Sequence, residues 1–213
     1  MLDLSRFVNF MVVVVRFRSN ANTKRPKLNQ GFTLVELMIA IAVLGILLAV
    51  SIPSFRDWLQ NTKTRTVAEA LQAGIRSAQV EALRNGLPVQ FFLTDDAPPV
   101  LGSATSATGR NWGIRTMSTT VANTPVAFIQ GTVLGGTSNN VTITGSTATV
   151  TFNSIGRSVA YAAGFYTPAG STTYAVTNSG LTNGRSYNVV VSSAGAVRLC
   201  DPAKSRATNP DGC

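Results

Sequence analysis

The sequence predicts an α+β fold: one long N-terminal helix, membrane-spanning in its first half and amphipathic in its second, packed on an antiparallel β-sheet head. Three observations carry this prediction. An unbroken apolar run extends from Phe32 to Ile52. Apolar residues then recur at helical spacing as far as Asn85. From Val89 onward the chain changes to short Thr/Val-rich runs of alternating character separated by Gly, Asn and Ser, the pattern of strands and turns.

The organisation expected along the 213 residues is a basic leader over 1–31, an apolar helix over 32–52, an amphipathic stalk helix over 53–85 and a β-rich head over 86–213. The net charge is +9, and much of it belongs to the leader. Six basic residues (Arg6, Arg16, Arg18, Lys24, Arg25, Lys27) precede Phe32, against the single acid Asp3. The run FTLVELMIAIAVLGILLAVSI contains one charge, Glu36. At about 1.5 Å per residue such a helix reaches roughly 30 Å, the thickness of a hydrocarbon core. Lys24, Arg25 and Lys27 stand just upstream with no comparable cluster after the run, which leaves the N-terminus cytoplasmic and sends the bulk of the chain across. A cleavable secretory signal fits poorly, because its apolar region is usually about 7–15 residues and ends in a small-x-small site.

Glu36 is the exception within this run. A carboxylate there costs about 2–3 kcal/mol on insertion scales and calls for a cation that the run does not contain. Cleavage between Gly31 and Phe32 creates one, a new α-ammonium four residues away. In a helical array the amine of one subunit can then meet the carboxylate of the next. A tolerated interfacial glutamate is the alternative.

In the stalk, Val67, Leu71, Ile75, Ala78 and Ala82 fall on one helix face, while Arg65, Glu69, Gln72, Arg76 and Gln79 lie largely off it. Asn85-Gly86 followed by Pro88 ends the helix. Expected strands are Val89–Thr94, Trp112–Met117, Val126–Gln130, Val141–Thr144, Thr147–Phe152, Ser158–Tyr161, Thr173–Val176, Tyr187–Ser192 and Val197–Leu199, forming a sheet with one face on the helix. Turns are expected at Gly135-Gly136, Asn139-Asn140 and Asn183-Gly184, and a loop over Asp95–Arg110. The two cysteines, Cys200 and Cys213, bracket the tail. A disulfide closing that loop is one reading and two separate thiols in a reducing compartment is the other; export favours the bond.

Catalysis finds no support. The chain has no His, and Lys63 and Lys204 are the only lysines after Gly31. Neither sits in a Ser-x-x-Lys arrangement, and no calcium-loop or phosphate-loop spacing occurs. No metal or cofactor is expected.

Lys27-Leu28-Asn29-Gln30-Gly31-Phe32-Thr33-Leu34-Val35-Glu36 closely resembles the class III signal of type IV pilins and type II secretion pseudopilins. The resemblance implies cleavage after Gly31 by a membrane prepilin peptidase, N-methylation of Phe32, assembly guided by Glu36, and a helix bend at Pro53. It also implies anchoring in inner-membrane lipid with the head in the periplasm, and other pilins or pseudopilins as partners. Residues 7–17 are foreign to such a leader, so Met1 and Met11 both stand as starts. In the head, Ala78–Val89, Trp112-Gly113-Ile114, Phe152–Arg157 and Val189–Val197 resemble motifs of GspH/FimT-type minor pilins. That resemblance implies a minor subunit of a type IV pilus or, alternatively, of a type II secretion system. FimT-like members are also associated with DNA capture through a Gly-Arg-x-Arg motif, which here reads Gly195-Ala196-Val197-Arg198. Ala196 departs from that motif, and Arg185, Lys204 and Arg206 are the residues able to supplement Arg198 in holding DNA phosphates.

Overall fold

The computed structural model describes residues 32–121, 123–134, 140–162, 165–181 and 184–213; the side chains of Val50, Pro53, Ser54, Tyr161 and Ala162 are outside the description. The leader with Gly31, the turn at Gly135-Gly136, and Asn139 and Asn183 therefore lie outside the described residues. The chain divides into two units, with the boundary between Ile46 and Leu47.

Helix α1 runs over Leu34–Asn85 and is continuous in backbone conformation through position 53. It stops where the sequence provides a C-cap: Gly86 adopts φ +65° and its N–H donates to Ala82 O at 3.1 Å. Ten strands follow: β1 (Val89–Thr94), β2 (Asn111–Met117), β3 (Pro125–Thr132), β4 (Val141–Gly145), β5 (Thr149–Phe152), β6 (Ser158–Ala162), β7 (Phe165–Pro168), β8 (Thr172–Asn178), β9 (Tyr187–Val191) and β10 (Val197–Cys200). The class is α+β, as expected, but the strands divide between two antiparallel sheets instead of one. The first has the order β3-β2-β1-β5-β6-β7 and the second β10-β9-β8-β4. Strand β7 has no counterpart in the sequence-based expectation. Its four residues, Phe-Tyr-Thr-Pro, are exposed or half-buried and end in Pro, so alternation has nothing to report.

Both sheets deliver apolar side chains to the same helix stripe. Val67, Ala68, Leu71, Ile75, Ala78 and Ala82 form a buried cluster with Val89, Phe91 and Leu93 of β1, Ile143 of β4, Tyr174 and Val176 of β8, and Val189 and Val191 of β9. Phe91 stacks with Trp112 and meets Tyr174 edge-on, with ring centroids 5.8 and 5.9 Å apart. Tyr174 is fully buried, and among the described residues its hydroxyl has no hydrogen-bond partner of good geometry.

Beyond apolar packing, helix side chains bond directly to strand and turn backbone. Gln79 Nε2 donates to Gly156 O at 2.7 Å and to Gly195 O at 3.0 Å, joining the β5–β6 turn of one sheet to the β9–β10 turn of the other. Both glycines have positive φ, and a Cβ at Gly195 would run into Gly156 O. Arg76 Nη2 donates to Val197 O at 3.1 Å, and the Gln72 side-chain oxygen accepts from Leu199 N–H at 3.1 Å once its amide is oriented to suit its neighbours. The open edge of β10 is thereby covered by the helix.

The Asp95–Arg110 segment is irregular, as expected, yet it is folded down on the sheet. Arg115 Nη1 donates to Leu101 O at 2.9 Å, and Nε and Nη2 both donate to Gln90 Oε1, while the guanidinium lies 4.4 Å from the Phe92 ring centroid. Strands β1 and β2 are consequently buried on both faces.

Two outcomes are expected. Gln79→Ala should lower stability by about 2 kcal/mol, at roughly 1 kcal/mol per lost bond, and Gly195→Ala by more; thermal unfolding followed by near-UV circular dichroism measures both. Burial raises the Tyr174 pKa above its unfolded value of about 10, with Thr147 pulling weakly the other way. The stability tied to the neutral phenol is complete below that unfolded value and declines as pH rises toward the folded one. Denaturant titrations between neutral and alkaline pH should show this decline in the parent chain and its loss in Tyr174→Phe, with no loss of stability at pH 7.

Candidate functional site

The N-terminal candidate begins at a helix cap. Thr33 Oγ1 accepts from Glu36 N–H at 3.2 Å, and Thr33 O accepts from Leu37 N–H at 3.2 Å. Thr33 is thus the N-cap of α1, and Glu36 occupies the third helical position, where a carboxylate also complements the helix dipole. The Thr-x-x-Glu spacing is a legible sequence signal for this cap. Among the described residues no cation lies within ion-pair distance of Glu36. Every described side chain from Phe32 to Ala49 is exposed.

Thirteen large apolar side chains between Phe32 and Ile52 are exposed. Burying each contributes about 1.5–3 kcal/mol, so together they represent roughly 20–40 kcal/mol, more than the ~5–15 kcal/mol by which a domain is ordinarily stable. Such a surface calls for a covering phase or partner. Among the described residues no helix is long and apolar enough to cross a membrane.

The second candidate lies in the head. Cys200 and Cys213 are joined, with Cα atoms 5.2 Å apart. The loop they close is internally bonded: Asp201 N–H donates to Asp211 O at 2.7 Å and Cys213 N–H to Lys204 O at 3.1 Å. Arg198, on β10, donates from Nη1 to Gly212 O at 3.2 Å and so ties the loop to its strand. Beside the loop is a cavity of about 150 Å³ whose charged lining is Arg65, Arg185, Lys204, Asp201 and Asp211. Lys204 Nζ lies 3.9 Å from Asp201 Oδ2, and Arg65 Nε lies 2.7 Å from Glu69 Oε1. The hydrogen bond and charge of Glu69 hold the Arg65 pKa above its ordinary value.

Of the four basic residues singled out in the sequence, Arg185 and Lys204 share this cavity. Arg198 is engaged with the terminal loop, and Arg206 is exposed outside the lining. Arg65 joins the group from the stalk, where its position off the apolar stripe had marked it only as a solvent-facing charge. Among the described residues no group of three or more carboxylates or thiolates converges as a metal site.

Comparison with known proteins adds to this geometry. The family described as the prokaryotic N-terminal methylation motif matches residues 26–52, and the type II transport protein GspH family matches residues 67–195. The type IV major alpha-pilin of Moraxella bovis is 35% identical over 90 residues, covering 42% of this chain and 50% of that protein. A fimbrial protein of Pseudomonas aeruginosa is 47% identical over 58 residues, covering 26% and 38% respectively. The chain spans half the length, or less, of the curated relatives it matches. Among solved structures, the minor pilin FimU of Pseudomonas aeruginosa is 18% identical, with 69% of this chain and 95% of that chain covered at a TM-score of 0.47. The minor pseudopilin EpsH of the Vibrio cholerae type 2 secretion system is 11% identical, with 67% and 99% covered at a TM-score of 0.45.

Opening the terminal loop should cost about 3 kcal/mol by chain entropy. The paired Cys200→Ser and Cys213→Ser variant should show that loss in denaturant titration, together with faster amide exchange at Asp201 and Cys213.

Proposed function

The chain belongs to the GspH family of type II transport proteins, and on that premise we propose that it is a minor pilin or pseudopilin whose work is assembly rather than catalysis. Prepilin peptidase cuts between Gly31 and Phe32, and Phe32 is N-methylated. The 32–52 helix holds the subunit in the inner membrane with its head in the periplasm until extraction, then packs among equivalent helices of other pilins or pseudopilins. Glu36 pairs with the Phe32 ammonium of a neighbour and sets axial register. Pro53, which has no N–H to donate, is where the helix bends as it packs. The observation that carries this reading is the fully exposed apolar face from Phe32 onward with one carboxylate, Glu36, that has no cation within reach among the described residues.

The type IV pilus is the first assignment for the filament. The type II secretion pseudopilus is the second, favoured by the match of the head to the type II transport family. Loss of pili or loss of protein secretion in a deletion strain separates them. Capture of DNA by Arg185, Arg198, Lys204 and Arg206 has little support, since two of the four share a cavity and Arg198 is committed to Gly212.

Mass analysis of the mature N-terminus tests the processing step. N-methylated Phe32 is the expected first residue, and a retained leader refutes the assignment. Glu36→Ala keeps the backbone bond to Thr33, so helix capping and membrane insertion should persist while recovery of partner pilins in pulldown falls about tenfold or more, as for loss of one buried ion pair.

A further inference from the structure

Beside the terminal-loop cavity is a second, larger groove of about 540 Å³, lined by Trp58, Asn61, Thr62, Arg65, Arg185 and Tyr187. Two guanidiniums enter its lining and no carboxylate does. Asn61 Oδ1 accepts from Arg185 N–H at 2.9 Å, which holds the segment before β9 against the helix and marks a formed groove rather than a chance gap. The Arg185 guanidinium has no hydrogen bond or ion pair among the described residues. Arg65 Nε donates to Glu69 Oε1 at 2.7 Å, with 63% of its side chain still exposed. Trp58 is 61% exposed and stacks against Phe55, itself 60% exposed, with ring centroids 5.7 Å apart.

An exposed aromatic pair is an odd feature for a surface bathed in water, but its place on the helix explains it. Trp58 follows Ile52, the end of the apolar run, by about 9 Å of helix. That is close to the depth of the headgroup layer, where Trp is enriched because its ring is apolar and its N–H is wet. Arg56 precedes it in the same turn and Lys63 stands just before Arg65; the acids on this side are Asp57 on the helix, Glu69 paired with Arg65, and Asp201 and Asp211 in the adjoining cavity, where Asp201 is paired with Lys204. Arg65 lies about two helical turns beyond Trp58 and shares the groove lining with it.

We propose that this groove is a seat for the phosphate headgroup of an anionic phospholipid, with Trp58 in the interface and Arg65 and Arg185 holding the phosphate. The inference rests on the membrane-spanning reading of residues 32–52. The headgroup contact steadies the subunit at the bilayer surface before assembly, and leaving the membrane requires breaking it.

The test uses the full chain in phosphatidylcholine nanodiscs with increasing phosphatidylglycerol, followed by tryptophan emission. The other tryptophan, Trp112, is buried in the head and supplies a constant background that Trp58→Phe measures separately. Brominated phosphatidylglycerol should quench Trp58 more strongly than brominated phosphatidylcholine at equal mole fraction. Arg65→Gln and Arg185→Gln should each lower that preference about fivefold, the effect of one basic residue near an anionic surface. Equal quenching by the two lipids in the parent chain, or an unchanged preference in the double variant, overturns the proposal. So does a Trp58 response in pure phosphatidylcholine discs to inorganic phosphate, marking a free-anion site, or to duplex DNA, marking a nucleic-acid site. A chain that fails to enter the discs overturns the spanning reading and this proposal together, whereas an embedded chain without lipid preference overturns this proposal alone.

Discussion

Among the described residues the two sheets of the head share no hydrogen-bonded strand pair, and the inner stripe of α1, together with the Phe91–Tyr174 contact, packs them as one body. Gln79 marks the point of closest dependence. Its side-chain amide is shared between carbonyls of two turns, each with a glycine in the left-handed region, and the turns approach so closely that a methyl group on Gly195 has no room. Apolar burial supplies most of the free energy but has little directional content. The amide supplies direction, fixing where each turn sits relative to the helix.

The same helix serves two environments in succession. From Val67 to Ala82 it has one buried face and one polar face, a pattern suited to a head in water. From Phe32 to Ala49 all described faces are exposed and nearly all are apolar, a pattern suited to lipid or to other helices. Thr33 caps the start so that the first-turn N–H of Glu36 is satisfied internally, which leaves the Glu36 carboxylate free for an external cation. Between these regimes stand Phe55 and Trp58, aromatic side chains positioned at the change.

The terminal loop shows how one arginine can look functional and act structurally. Arg198 sits on β10 facing the chain end, and its guanidinium satisfies Gly212 O within the ring closed by Cys200 and Cys213. Two other cations share a groove elsewhere: Arg65 from the stalk, paired with Glu69, and Arg185 from the approach to β9. Their meeting depends on the main-chain bond from Arg185 to Asn61.

Much of this was legible before any coordinates. Helical spacing identified five residues of the buried stripe, missing Ala68 and Thr64, the Asn85-Gly86 cap located the helix end, and alternation found nine strands, because each is a local pattern with a local physical cause. The division into two sheets was not legible, since alternation records which face of a strand is buried and is silent about its neighbours in the sheet. Nor was the folding of the Asp95–Arg110 segment over β1 and β2, where a buried Arg115 is satisfied by Gln90 and the Leu101 carbonyl instead of by an acid. Arg65 and Arg185 are 120 positions apart, so no spacing could pair them. The sequence by itself determined the apolar helix, its lone carboxylate and the order of strands, all consequences of residue type along a single chain direction. Only the tertiary structure decided which turns Gln79 joins and which cations share a groove, because those depend on distances in space that the helix stripe imposes after both sheets have packed on it.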